Sequence, residues 1–233
     1  MQMTKDKAAF IFGSVCFLAL LGSWAWSLWF VTAELHQGNV YRIIYLHVPS
    51  AFCAFFCSLL LLIFSLLSLL KRTQHNWSLW GKSAAETGLV FTILTLITGS
   101  IWGKPTWGTW WTWDARLTTT FILALLYCAY LLLSASLAHG AKQQRACAVM
   151  GILIFADVPI IYKSVTWWRT LHQPPSLTLA GSPAMDGDIL SHLILSIVLM
   201  LAACGWIVWQ RYGNLCLQAK LDQLSQVHLR GMN

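Results

Sequence analysis

The chain has 233 residues, of which 58% are hydrophobic and only 10% charged, with a formal net charge of +7. A water-soluble domain carries about 25% charged residues, so this composition cannot supply an aqueous surface. No basic stripe accompanies the positive charge, which therefore does not point to nucleic acid.

The apolar residues fall into long blocks. In lipid such a block satisfies its own backbone only as a helix, since strands would need a closed barrel of alternating residues. Six blocks reach the about 20 residues needed to cross a bilayer: roughly 8–31, 48–70, 83–103, 117–138, 146–163 and 189–210. The fold class expected is an all-α integral membrane protein with six transmembrane helices, a single domain over residues 1–233.

The first block follows Lys5, Asp6 and Lys7. It is too long for a signal-peptide core and no A-x-A-like cleavage site follows, so it reads as an uncleaved span. A loop from Thr32 to His47 then carries Glu34, His36, Arg42 and His47. In the second block Cys53 and Cys57 lie one helical turn apart and read as small packing residues rather than a redox pair. Glu86, in the third, either pairs with Lys82 one turn away or faces the bundle interior. The fifth block is the shortest. It holds Asp157 two residues before Pro159, where a structural hydrogen bond at the kink is expected. A loop from Ser164 to Asp188 contains Trp167, Trp168, Arg169, His172, Pro174 and Pro175. After the sixth block, Leu215, Leu217, Leu221, Leu224 and Val227 fall at roughly helical spacing, as a helix on the membrane or a partner, or as a short solvated tail.

Orientation follows from the basic residues in the connections. Lys5, Lys7, Lys71, Arg72, Lys82, Lys142, Arg145, Arg211, Lys220 and Arg230 lie on one side; Arg42, Lys104, Arg116, Lys163 and Arg169 lie on the other. This bias puts both termini in the cytoplasm and the loops around residues 32–47, 102–116 and 164–188 outside.

The segment Trp102 to Asp114 holds five tryptophans in thirteen residues, interleaved with Gly103 and Gly108. An aromatic belt explains scattered rings such as Trp24, Trp26, Trp29, Trp206 and Trp209, but not this concentration. Such a shelf suits a flat apolar ligand: a nucleobase, a quinone, a caged cation or a porphyrin. Histidines narrow the choice, because two can close the axial positions of haem iron, and arginines suit its propionates. His47 and His172 flank the shelf, with Arg42, Arg116 and Arg169 nearby. His36 and His192 are on the same side, so spacing alone does not select the pair. The residues themselves indicate a planar, metal-bearing ligand at the outer face.

Trp107 to Thr118 (WGTWWTWDARLT) resembles the WWD motif of the haem-handling proteins of cytochrome c maturation. Arg42 to Ala51 and Trp167 to Pro174 resemble the two outer histidine segments of its CcmC (haem exporter protein C) branch. The likeness covers most of residues 42–174; the N-terminus, sixth span and tail match in hydropathy alone. It implies a multi-pass protein of the bacterial inner membrane, with its functional loops in the periplasm and haem b as bound cargo. Trp107, Trp110, Trp111, Trp113, Asp114 and Arg116 would lie against the porphyrin, with His47 and His172 as axial ligands. Asp114 is expected to orient a tryptophan N–H or to bind Arg116. The implied partners are the haem chaperone CcmE, the small membrane protein CcmD and the ABC transporter subunits CcmA and CcmB. The chain has no G-x-x-x-x-G-K-[ST] sequence, so energy must come from a partner and the chain is expected not to be an enzyme. Two alternatives stand beside this: a small-solute permease subunit with the Trp loop as lid, or a cytochrome c haem lyase component of the CcmF or CcsA type.

Overall fold

The structure, a computed structural model, describes residues 2–70, 76–137, 140–172 and 185–231. It has six long helices: α1 (Gln2–Trp29), α2 (Ile44–Leu70), α3 (Asn76–Trp107), α4 (Ala115–Ser136), α5 (Ala141–Trp167) and α6 (Gly187–Gly231). A short 3-10 turn, Asn39–Ile43, leads into α2. All six are long and apolar enough to cross a membrane, and no strand occurs among the described residues.

Helices α2, α3, α4 and α5 form a ring in which each packs on the next, with α6 outside α2 and α3 and α1 against α6. Trp206 Nε1 donates to the Ala9 carbonyl at 2.9 Å, while His192 meets Ser23. Rising numbers on α1 thus run against falling numbers on α6, and the two termini share one end of the bundle. At mid-depth the ring is filled by Leu61, Ala84, Ala85, Leu123, Tyr127 and Ile154, all fully buried. Tyr127 crosses it, its hydroxyl 2.8 Å from Ser58 Oγ and 3.2 Å from the Ala54 carbonyl.

Many of the polar residues of the spans are satisfied by their own helix, as an apolar solvent favours. Thr87, Thr92, Thr95 and Thr98 each donate to the carbonyl four residues earlier. Pro49 removes the amide that would have paired with the Tyr45 carbonyl, and Trp24 Nε1 of α1 takes that carbonyl at 3.2 Å.

The helices overrun the apolar blocks. α3 continues through Pro105 to Trp107, and α2 starts early enough to place His47 in its first turn. The fifth block is a full helix despite Pro159. Two open readings are decided and one expectation is corrected. Glu86 pairs with Arg211 of α6, in a two-pronged contact, rather than with Lys82. Asp157 is buried, yet its Oδ2 has no hydrogen-bond partner among the described residues. The tail is no separate surface helix: it continues α6, whose 45 residues span about 67 Å at 1.5 Å per residue. Cys53 and Cys57 are fully buried against Cys204, as packing residues would be. Lys71, Arg72, Gln173, Pro174 and Pro175 lie outside the described residues.

Candidate functional site

At the end of the ring that carries the 108–114 connection, the four helices part around an apolar cavity of about 280 Å³. His47, Val48 and Phe52 of α2 form one wall, and Thr95, Gly99, Trp102 and Trp107 of α3 a second. Arg116 and Leu117 of α4, Ile161 and Tyr162 of α5 and His172 complete it. Ala54 and Leu123 close the bottom above the Tyr127 crossing.

Each histidine of the cavity has a tryptophan beside it. His47 lies edge-on to Trp102 with ring centroids 5.7 Å apart, and His172 lies 6.0 Å from Trp107. The Trp102 indole donates to Gln37 Oε1 at 2.7 Å, which locks the ring that backs His47. The structure also separates these two histidines from the others. His192 turns toward α1, where Nε2 lies 2.9 Å from the Ser23 carbonyl, and His36 is exposed in the first connection.

The tight segment between α3 and α4 sets the rest. α3 ends on Gly108 at φ 80°, a left-handed conformation that favours glycine. Its amide returns to the Lys104 carbonyl and its own carbonyl accepts Lys104 Nζ at 3.0 Å. Six residues on, Asp114 caps α4 in the extended conformation of an N-cap. Its two oxygens divide the work. Oδ1 accepts the Arg116 amide at 2.9 Å, while Oδ2 accepts the Leu171 amide at 2.9 Å and the Thr170 hydroxyl. Thr170 Oγ1 in turn accepts the His172 amide at 3.0 Å. Burial alone would push the Asp114 carboxyl up. Hydrogen bonds from Thr170 and the amides of Leu171, Arg116 and Leu117 outweigh it and hold the group below the usual carboxylate range.

Arg116 projects from the first turn of α4. Nη2 donates to the Tyr162 carbonyl at 3.2 Å and Nη1 lies 3.5 Å from His172 Nδ1. Its Nε is buried with no hydrogen-bond partner among the described residues. Leaving such a donor unpaired costs about 1–3 kcal/mol, so an acceptor that reached it would be favoured.

Of the residues singled out from sequence, His47, His172, Trp107 and Arg116 therefore meet at one cavity. Trp110, Trp111 and Trp113 do not line it. Trp110 and Trp113 stand 58% and 74% exposed on the connection, with Trp111 packed edge-on to Trp113 and Phe121. Asp114 bonds the Arg116 main chain, not its guanidinium, and accepts from no tryptophan among the described residues. Arg42 is committed to Asn39 and the Ser27 carbonyl, and Arg169 is exposed outside the cavity. Trp102, Tyr162 and Thr98 are contributors that sequence reasoning did not single out. Only Trp102 carried a signal, as the first ring of the aromatic segment.

The sequence is similar to those of several known proteins. The chain is 38% identical over 196 residues to "Heme exporter protein C" of Haemophilus influenzae, covering 84% of this chain and 79% of that protein. It is 37% identical over 189 residues to the protein of the same name in Escherichia coli K12, at 79% and 77% coverage. A "putative cytochrome c biosynthesis ccmC-like mitochondrial protein" of Marchantia polymorpha is 42% identical over 160 residues, 67% of this chain and 65% of its own length. The family model described as CcmC, heme exporter protein C, matches residues 1–227, and the chain belongs to that family.

Proposed function

We propose that the chain binds haem b in this cavity at the periplasmic face of the bacterial inner membrane and delivers it to the chaperone CcmE for cytochrome c maturation. The observation that carries the reading is the convergence of His47, His172 and Arg116, whose Nε is buried with no partner among the described residues, on one apolar cavity. Neutral imidazoles are the common protein ligands of haem iron, and a guanidinium suits a propionate. Trp107, which lines the cavity, would lie against the macrocycle. Haem supplies the iron and the reactive periphery; the chain supplies position.

A cavity of about 280 Å³ is at the lower limit of small-molecule sites. It encloses only part of a macrocycle and leaves an edge accessible. Trp110, Trp111 and Trp113, outside the cavity on the 108–114 connection, would form the surface from which the cargo leaves. The filled ring below, closed by Leu123 and Tyr127, favours collection and release at one face over passage through this bundle, and it disfavours a permease. With the basic-residue bias, that face is periplasmic and both termini are cytoplasmic. With no G-x-x-x-x-G-K-[ST] sequence in the chain, release would draw on CcmA and CcmB, with CcmD in the same complex.

The absorption spectrum of the protein purified with its chaperone tests the reading. A Soret band is expected in wild type and should be lost when both His47→Ala and His172→Ala are present. No band in wild type overturns haem binding; a band that survives the double substitution overturns the axial assignment.

A further inference from the structure

The ring of His47 reaches from α2 to α3, where Nδ1 lies 3.0 Å from Thr98 Oγ1. A neutral imidazole donates from one nitrogen and accepts at the other, and its neighbours decide which. The single hydroxyl proton of Thr98 is already directed elsewhere. Oγ1 lies 2.7 Å from the Leu94 carbonyl and 3.2 Å from that of Thr95. Thr98 therefore offers His47 a lone pair, and the proton between them sits on Nδ1. Nε2 has no hydrogen-bond partner among the described residues, and the ring forms part of the cavity wall.

We propose that Thr98 is a positioning residue that fixes His47 in the Nδ1–H tautomer and keeps the Nε2 lone pair bare toward the cavity, ready to ligate a metal centre. What the lone pair meets rests on the haem reading above; the tautomer does not. His172 is set differently. Its Nδ1 faces Arg116 Nη1 at 3.5 Å, a group that only donates, so Nδ1 accepts there. The two histidines are thus unequal in the free protein. His47 is the preset ligand, whereas His172 must give up its contact with Arg116 before it can exchange tautomers.

Full-length protein in lipid nanodiscs, free of haem and carrying ¹⁵N-labelled histidine, tests this by ring-nitrogen NMR, with His47 assigned by its loss in His47→Asn. Wild type is expected to show the proton on Nδ1. Thr98→Val, which keeps the shape and removes the acceptor, should move His47 toward the Nε2–H form, and Thr98→Ser should restore the wild-type pattern. A wild-type His47 protonated on Nε2 overturns the proposal whatever the variants do, and so does a Thr98→Val protein that keeps the proton on Nδ1. Loss of the supporting hydrogen bond should then weaken haem binding by roughly 10–100-fold, with recovery in Thr98→Ser. If wild type takes up no haem, the ligand role falls with the haem reading, while the haem-free spectra still decide whether Thr98 sets the ring.

Discussion

The carboxylate of Asp114 accepts the main-chain amide of Leu171 at 2.9 Å, joining the start of α4 to a segment 57 residues later. That bond, with the Thr170 hydroxyl on the same oxygen, holds the backbone of His172 beside Arg116. The acid of the WWD segment is therefore a latch for a cavity histidine as well as a helix cap. Hydrogen bonds to a charged group contribute roughly 1.5–3 kcal/mol. Asp114→Asn, which keeps a neutral acceptor, is expected to speed amide exchange at Leu171 by about tenfold, since 1.4 kcal/mol is a factor of ten. Amides in the middle of α2 serve as the reference and should be unaffected. Unchanged exchange at Leu171 would show that the loop is held by something else.

The same latch is sensitive to acid. The folded carboxyl sits below its unfolded value, because its four donors outweigh the cost of burial. Its contribution is complete above the unfolded pKa of about 4 and is lost as the pH falls through the lower folded value. Pepsin cleavage within 167–172, normalised to the free peptide, is expected to rise as the pH drops below about 4 in wild type. In Asp114→Asn, which has no carboxylate to protonate, cleavage should be high and independent of pH across that range. A wild-type profile as flat as that of the variant would remove Asp114 as the cause.

How much of this was legible in the sequence depended on how local each interaction is. The six spans could be read because a hydrocarbon solvent imposes long apolar runs, and each run is a helix. Their ends could not, because a helix does not stop where lipid stops. Pro105 falls in the last turn of α3 and does not end it, so the helix continues into the Trp segment. Glu86 had a plausible partner four residues away in Lys82, yet pairs with Arg211, 125 residues away, because the register of α3 against α6 decides. Helix rotation likewise separates His47 from His192. Both lie near the same end, but only one faces the ring, while the other meets Ser23. The tryptophans looked alike in sequence, and the turn at Gly108 divides them into Trp102 and Trp107 at the cavity and the rest outside it.

Gly99 leaves the space in which the His47 ring lies. A methyl group there would stand 3.1 Å from His47 Cε1, closer than ordinary contact allows. Alanine is favoured over glycine within a helix by up to about 1 kcal/mol, so Gly99→Ala should not unfold α3. The ring, held at Thr98, is the part that must move. Thermal unfolding of Gly99→Ala is therefore expected at or above the wild-type temperature, while its haem spectrum shifts away from bis-histidine ligation. A wild-type spectrum in Gly99→Ala would mean that the ring tolerates the displacement and that its position is not critical. A lower unfolding temperature with lost ligation would indicate general damage to α2–α3 packing.

Arg116 offers the sharpest separation of ligand recognition from scaffolding, because two of its nitrogens have partners and the third has none among the described residues. Nη2 and Nη1 are turned to Tyr162 and His172, whereas Nε is buried with no acceptor among the described residues. If the missing acceptor is a propionate, the arginine matters to haem and matters little to haem whose propionates are methyl esters. Arg116→Gln is expected to weaken binding of haem by roughly tenfold or more, from the loss of a charge-assisted hydrogen bond of about 1.5–3 kcal/mol. Binding of the dimethyl ester should change far less. Titration of both pigments into wild type and variant, followed at the Soret band, closes a double-mutant cycle whose interaction energy isolates the arginine–carboxylate contact. Equal losses for both pigments would assign Arg116 to holding Tyr162 and His172 in place, and would leave the buried Nε without a role in recognising the cargo.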